Sequence, residues 1–182
     1  MKTAKRKSKS SRAFHPRVEL TLINRSRRAV PQKFLRDWVA DLAREAADVL
    51  PSRLVSKFSD REFVIAFVSS DEIRALNKQF RGKDKPTDVL SFEGDDPSSM
   101  GELAISPEII AVQAREHGLL IREELGYMIL HGFLHLLGFD HETGDADARR
   151  MFKLQDAMFE RILVRMRPTR VKALTKKLIR EN

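Results

Sequence analysis

Three of the chain's five histidines lie within eleven residues, in the string HGFLHLLGFDHE that begins at His131. His131 and His135 are four residues apart in a stretch with helical periodicity, so both rings project from one face of the same helix. Gly138 is placed to end that helix and to let the chain turn back. His141 follows in the turn as a third nitrogen ligand. The sequence thus predicts a helix whose end carries a three-histidine cluster.

A cluster of this composition suits a catalytic metal ion. Three protein nitrogens on zinc, which prefers four ligands, leave one position open for a water or a substrate. Zinc lowers the pKa of a water in that position from about 15.7 to about 7, which supplies hydroxide for hydrolysis. The chain contains no cysteine, so thiolate ligands are excluded. We therefore expect one Zn²⁺ ion on His131, His135 and His141, although three imidazoles also suit other transition metals.

The residue after the first histidine separates two kinds of zinc enzyme. The spacing of the histidines, with Gly138 three residues after the second, matches the long zinc motif of the metzincin proteases. Those proteases place a glutamate directly after the first histidine as general base, where this chain has Gly132. A metalloprotease is therefore an alternative that Gly132 argues against. The alternative without a metal is a packed helix end with incidental histidines.

Two carboxylates flank the third histidine of the cluster. Asp140 precedes His141, and Glu142 follows it. Asp140 either orients a histidine ring or, with Glu142, caps the following helix, and the sequence leaves both roles open.

The rest of the pattern predicts an α+β domain, a small mixed β-sheet packed with helices, with a zincin-like metal site on one helix. Alternating or β-branched runs predict four strands, and periodic apolar residues predict the helices. The expected order is β-α-β-α-β-β-α-α-α. The predicted strands cover 18–24, 62–68, 89–92 and 102–105. The first helix begins near residue 31, and the other helices cover 69–80, 107–117, 123–137 and 145–166. A charged loop covers 81–87.

The charge of the chain is concentrated at its ends. The sequence has 34 basic and 26 acidic residues, a net charge of +8. Seven basic residues and no acid lie in 1–17, and eight basic residues lie against Glu181 alone in 161–182. We expect a basic, disordered extension over 1–17, one metal-dependent hydrolase domain over 18–166 and a basic tail over 167–182. Basic tails bind nucleic acid by releasing counterions, but solvated extensions have the same composition.

The apolar runs of the sequence are all short. None approaches the roughly 20 residues that a membrane-spanning helix needs. Together with the absence of cysteine and of a recognisable leader, this predicts a cytoplasmic protein with no membrane partner.

Three strings of the sequence, RGKDKPTDVLSF, GELAIS and HGFLHLLGFDHE, together resemble the YbeY family of bacterial endoribonucleases, which act in rRNA maturation. The resemblance covers about residues 76–142. It implies an α+β fold with a zincin-like site in which His131, His135 and His141 bind zinc. It further implies that Arg81 is the functional arginine, and a glycine after the first histidine is normal for the family. The implied function is a zinc-dependent, single-strand-specific endoribonuclease that acts on 16S rRNA of the small ribosomal subunit in ribosome biogenesis.

The chemistry of Arg81 agrees with that role. Cleavage of a phosphodiester gathers charge on the non-bridging oxygens, and a guanidinium group matches them with two hydrogen bonds. The alternative is a solvated turn, and Lys83 and Lys85 stay open between the two. Asp88 either shapes the cleft, together with Thr87 and Ser91, or caps the turn before the strand. A non-catalytic ribosome-assembly factor with a structural zinc is the remaining alternative.

Overall fold

The structure is a computed structural model that describes residues 16–140 and 144–166. His141 and Glu142, the basic tail over 167–182 and nearly all of the extension over 1–17 lie outside the described residues. The predictions made for them stay predictions.

The described chain forms four strands and six helices, and the mixed α+β class is confirmed. Their order matches the predicted one, with one added turn of helix after Pro51. The elements are β1 Val18–Asn24, α1 Gln32–Val49, α2 Ser52–Val55, β2 Arg61–Phe67, α3 Ser70–Arg81, β3 Val89–Glu93, β4 Ser99–Ile105, α4 Pro107–Glu116, α5 Ile121–Leu136 and α6 Asp145–Met166.

Two features of the elements differ from the predicted ones. Arg81 was expected in a loop, but it is the last residue of α3, because the chain leaves the helix only at Gly82, where φ is +68°. Strand β4 begins at Ser99 and helix α5 at Ile121, three and two residues before the expected starts. Element ends of this kind depend on tertiary contacts that sequence periodicity does not report.

The four strands form one mixed sheet in the order β1-β2-β4-β3. β1, β2 and β4 run parallel, and β3 pairs antiparallel with β4 through a hairpin. The inner strand β2 is buried along most of its length, which explains its nearly continuous apolar sequence. Strand β3 is left at one edge of the sheet.

Helices cover both faces of the sheet. α1, α5 and α6 pack on one face and share the main core, in which Phe133 of α5 stacks edge-on against Phe58 and Phe63 at centroid distances of 5.2 and 6.0 Å. α3 covers the other face through a smaller cluster around Ile73 and Leu90. Burying each such side chain contributes about 1.5–3 kcal/mol. The edge strand β3 therefore runs between α5 on one face and α3 on the other.

Within residues 16–140 and 144–166, none of the helices combines the length and the apolar character that crossing a membrane requires.

Candidate metal centre

Helix α5 carries two of the three predicted metal ligands. Ten of its sixteen residues are buried, so it is a core helix with apolar residues on most sides. It ends at Leu136, and Gly138, with φ of +91°, donates its N–H to the carbonyl oxygen of His135 at 2.8 Å. Lys57 donates to the carbonyl of Leu137 at 3.2 Å. The last turn of α5, which contains His135, is therefore fixed from two sides.

The structure brings His131 and His135 together. Their Nε2 atoms lie 3.1 Å apart, and the ring planes meet at 79°. Both residues are half-buried, so part of the pair is open to solvent. Spacing of four residues on a helix was the signal for this contact, and the geometry follows from it.

The proton on His131 can be placed from its neighbour. Nδ1 of His131 lies 2.9 Å from Oε1 of Gln155, a residue of α6 that is fully buried. An amide oxygen only accepts hydrogen bonds, so Nδ1 carries the proton and Nε2 presents its lone pair. That lone pair points toward Nε2 of His135.

The pair fits a shared zinc ion. Two nitrogens bound at 2.0–2.1 Å to one tetrahedral ion lie about 3.3 Å apart, close to the separation of 3.1 Å found here. An Nε2 lone pair backed by a hydrogen bond at Nδ1 is the usual state of a metal-binding histidine. The described residues contain no group of three potential ligands, and the third predicted ligand, His141, lies outside them.

Gly132 has a packing role that explains the departure from the protease motif. A Cβ atom built there would lie 2.6 Å from Cδ2 of Leu103 and 3.2 Å from Oγ of Ser91. Position 132 thus lies where α5 packs closely against the sheet. A glutamate at this position would require the Leu103 side chain to shift.

Helix α6 packs beside His131 and contributes further contacts to it. Phe152 stacks on the His131 ring with planes 14° apart, and Tyr127 of α5 donates a hydrogen bond to Asp156 at 2.8 Å. Burial and this bond to Asp156 raise the pKa of the Tyr127 phenol, so it stays a donor at neutral pH.

Gln155 was missed by the sequence reasoning. A signal was available, because Gln155 interrupts the buried apolar stripe of α6 formed by Met151, Met158 and Ile162. Polar residues at such positions are hydrogen-bonded when buried.

Arg81 and the turn after it lie at the edge of the sheet. The N–H of Gly82 donates to the carbonyl of Lys78 at 3.1 Å, and that of Lys83 donates to Asn77 at 3.2 Å. The buried Asn77 side chain donates to the carbonyl of Lys85 at 2.8 Å. The turn is therefore held by its backbone, while the side chains of Arg81, Lys83 and Lys85 are exposed.

Two aspartates complete the turn. Asp84 accepts hydrogen bonds from Lys78 and Arg74, both at 2.8 Å, and these bonds lower the pKa of its carboxyl group. Asp88 accepts from the N–H of Val89 at 2.8 Å and from Gln113 at 2.9 Å. Of the two roles considered for Asp88, the structure supports the structural one, a cap before β3.

Strand β3 lies between the two parts of the predicted site. The turn from Arg81 leads into this strand, and Oγ of Ser91 lies 3.5 Å from the carbonyl oxygen of Gly132 on α5. Asp140 lies in the turn after Gly138 and is half-buried, and its two possible roles remain open.

Comparisons with known proteins decide the family. The sequence matches the family described as Endoribonuclease YbeY over residues 21–163. The chain belongs to the endoribonuclease YbeY family. An Endoribonuclease YbeY from Bdellovibrio bacteriovorus is 44% identical over 150 residues, which cover 80% of this chain and 96% of the relative. One from Sulfurihydrogenibium sp. is 39% identical over 138 residues, with coverage of 73% and 84%.

A solved structure supports the YbeY fold. The solution structure of TM1509 from Thermotoga maritima has a TM-score of 0.57 and 31% identity to this chain, covering 82% of it and 92% of TM1509. The resemblance drawn from the three sequence strings is thereby confirmed, and with it the assignment to a family of enzymes whose members are named endoribonucleases.

Proposed function

We propose that this chain is a zinc-dependent endoribonuclease that cleaves single-stranded RNA and acts on 16S rRNA of the small ribosomal subunit during ribosome biogenesis. His131, His135 and His141 hold one Zn²⁺ ion, and Arg81 is the catalytic arginine. The observation that carries the proposal is the convergence of the His131 and His135 Nε2 atoms at 3.1 Å. The names of the YbeY relatives supply the reaction class.

The residues of the chain divide the chemistry between them. A zinc ion bound at the histidines supplies an activated water or a polarised phosphate oxygen. Arg81 donates two parallel hydrogen bonds to the non-bridging phosphate oxygens, where negative charge increases in the transition state. Lys83 and Lys85, exposed in the same turn, bind neighbouring phosphates. The open side of the histidine pair admits the RNA strand.

The basic ends of the sequence serve the same substrate in this proposal. Their positive charge raises the rate of encounter with rRNA and makes binding depend on salt. The proposed place of action is the cytoplasm, where ribosomal RNA is processed.

Cleavage of a single-stranded RNA by the purified full chain tests the proposal. We expect cleavage that a chelator abolishes, that added zinc restores, and that His135→Ala lacks. His117→Ala is the matched control, because His117 is an exposed histidine at the end of α4 and pairs with Glu124 instead. This control should cleave RNA as the unmodified chain does.

Other outcomes would support the alternatives. Cleavage that survives both the chelator and His135→Ala would contradict the proposal. Peptide hydrolysis by a pure sample would favour a metalloprotease, against the packing of Gly132 on Leu103. If loss of zinc only unfolds the chain and no RNA is cleaved, the zinc is structural and the chain is an assembly factor.

A further inference from the structure

The fully buried amide of Gln155 is costly unless it has a specific task. It occupies the apolar stripe of α6, four residues after Met151 and three before Met158. Its Oε1 atom bonds to Nδ1 of His131, but its Nε2 atom has no hydrogen-bond partner within the described residues. A methionine in the same place would avoid an unsatisfied buried donor, which costs about 1–3 kcal/mol. Gln155 therefore contributes little to stability relative to an apolar residue.

We propose that Gln155 is a positioning residue that fixes the proton of His131 on Nδ1 and so presents Nε2 to the metal. This inference rests on the proposed metal site. With Oε1 facing the ring, the proton must lie on Nδ1. With the amide reversed, its N–H would face Nδ1 and drive the proton to Nε2, where it would block a metal. The orientation of the amide, with Oε1 at 2.9 Å from Nδ1, thus selects one of two tautomers.

A neutral amide suits this position better than a carboxylate. Gln155 is fully buried, and a buried charge would carry a large desolvation cost. The amide oxygen orients the ring without that charge. Phe152, also on α6, lies parallel to the same ring at a centroid distance of 6.3 Å.

The same geometry predicts opposite tautomers for the two histidines when no metal is bound. Nε2 of His131 has a lone pair, so the 3.1 Å contact requires Nε2 of His135 to be the donor. Nitrogen NMR of the metal-free full chain reads both tautomers directly. It is recorded about two pH units above the ordinary histidine pKa of about 6.5. We expect the proton on Nδ1 of His131 and on Nε2 of His135.

Gln155→Met tests the role without removing a ligand. We expect zinc affinity, measured by competition with a chromophoric chelator, to fall about ten- to a hundredfold. The NMR signal of His131 should shift toward the other tautomer, while the melting temperature stays equal or rises. Gln113→Met is the matched control, since Gln113 bonds to Asp88 and not to a histidine. It should leave both the zinc affinity and the His131 tautomer unchanged.

Gln155→Glu supplies the rescue. It keeps an oxygen acceptor toward Nδ1, so zinc affinity and tautomer should stay near those of the unmodified chain, at some cost in stability. The inference is overturned if Gln155→Met binds zinc normally with His131 unchanged, or if Gln155→Glu fails to keep the proton on Nδ1. The measurements of zinc affinity and of the His131 tautomer are independent of RNA cleavage. An unmodified chain that binds zinc through a fixed His131 but cleaves no RNA would contradict the proposed function alone.

Discussion

The two halves of the proposed site are built in opposite ways. The histidine pair, His131 and His135, is half-buried, and its side chains are held by contacts with Gln155 and Phe152 of α6. The arginine segment, residues 81–88, has its backbone held by Asn77 and by the cap at Asp88, while its cationic side chains are exposed. One half positions ring nitrogens, and the other positions a stretch of backbone.

The difference follows from what each half must bind. A metal ion needs ligand atoms placed within a few tenths of an ångström, so the side chains themselves must be fixed before the ion arrives. A phosphate on an RNA strand is bound by long, exposed cations, and the fixed turn holds the backbone that carries them. Variants of the two halves should therefore separate metal affinity from RNA cleavage.

The largest expected effect separates the halves most clearly. Arg81→Ala should lower the rate constant of RNA cleavage about 10²- to 10³-fold, as does the loss of one donor to a charged transition state. Zinc affinity should be unchanged, because Arg81 ends α3 and is not one of the proposed metal ligands. Single-turnover cleavage and a zinc titration measure the two quantities.

Arg36→Ala is the control for removing one exposed arginine, since Arg36 lies on the outer side of α1. It should cleave normally. A drop in zinc affinity for Arg81→Ala equal to the drop in cleavage would show that the two halves are not separable.

The second prediction concerns the packing of α5 on the sheet. Gly132→Ala places a Cβ atom 2.6 Å from Leu103, and overpacking of a core costs about 1–3 kcal/mol. Urea unfolding should show this loss. Gly144→Ala should change the free energy of unfolding by less than about 0.5 kcal/mol, because beyond its chain neighbours no atom of the described residues lies within 4 Å of the new Cβ. Equal stabilities for the two variants would contradict the close approach of α5 to β4.

The third prediction concerns the arginine segment. Gly82 and Gly118 have φ of +68° and +66°, and apart from chain neighbours no atom in the described part of the chain lies within 4 Å of a new Cβ at either. Alanine at either position should cost about 1–2 kcal/mol through backbone strain alone. Only Gly82→Ala should also slow RNA cleavage, because it disturbs the turn after Arg81. The same slowing in Gly118→Ala would mean that strain anywhere in the fold impairs the site.

The smallest expected effect concerns His117, which lies outside both halves of the proposed site. Nδ1 of His117 lies 3.0 Å from the buried Glu124, and the hydrogen bond to this carboxylate raises the pKa of His117. Because the folded state binds this proton more strongly, the contact is fully present below about pH 6.5 and is lost as the pH rises through the raised pKa of the folded chain. Glu124→Gln should lower the pKa of His117 in NMR titrations. An unchanged pKa would contradict the contact.

Much of the fold could be predicted because its signals are local. Strand β1 has the predicted bounds, and α3 begins within a residue of its predicted start, where Ser69 accepts from the N–H of Glu72. Helix α4 begins at Pro107 as predicted, and the hydroxyl of Ser106 before it bonds to Glu108 at 3.0 Å. The order of strands in the sheet was not predicted, since it depends on contacts between distant parts of the chain.

In the site, too, local features could be predicted from the sequence and contacts between distant parts of the chain could not. The convergence of His131 and His135 follows from helix geometry and could be predicted from their spacing. Gln155 is twenty residues or more away in sequence, and its contact with His131 depends on how α6 packs on α5. Similarly, Asn77 and Asp88 hold the turn through bonds that only the folded chain forms.

The most direct test is anomalous scattering at the zinc absorption edge from crystals of the full chain. The account predicts one peak, bound by Nε2 of His131 and His135 and by His141, with no fourth protein ligand. A peak elsewhere, or a fourth side chain on the ion, would contradict the catalytic metal centre.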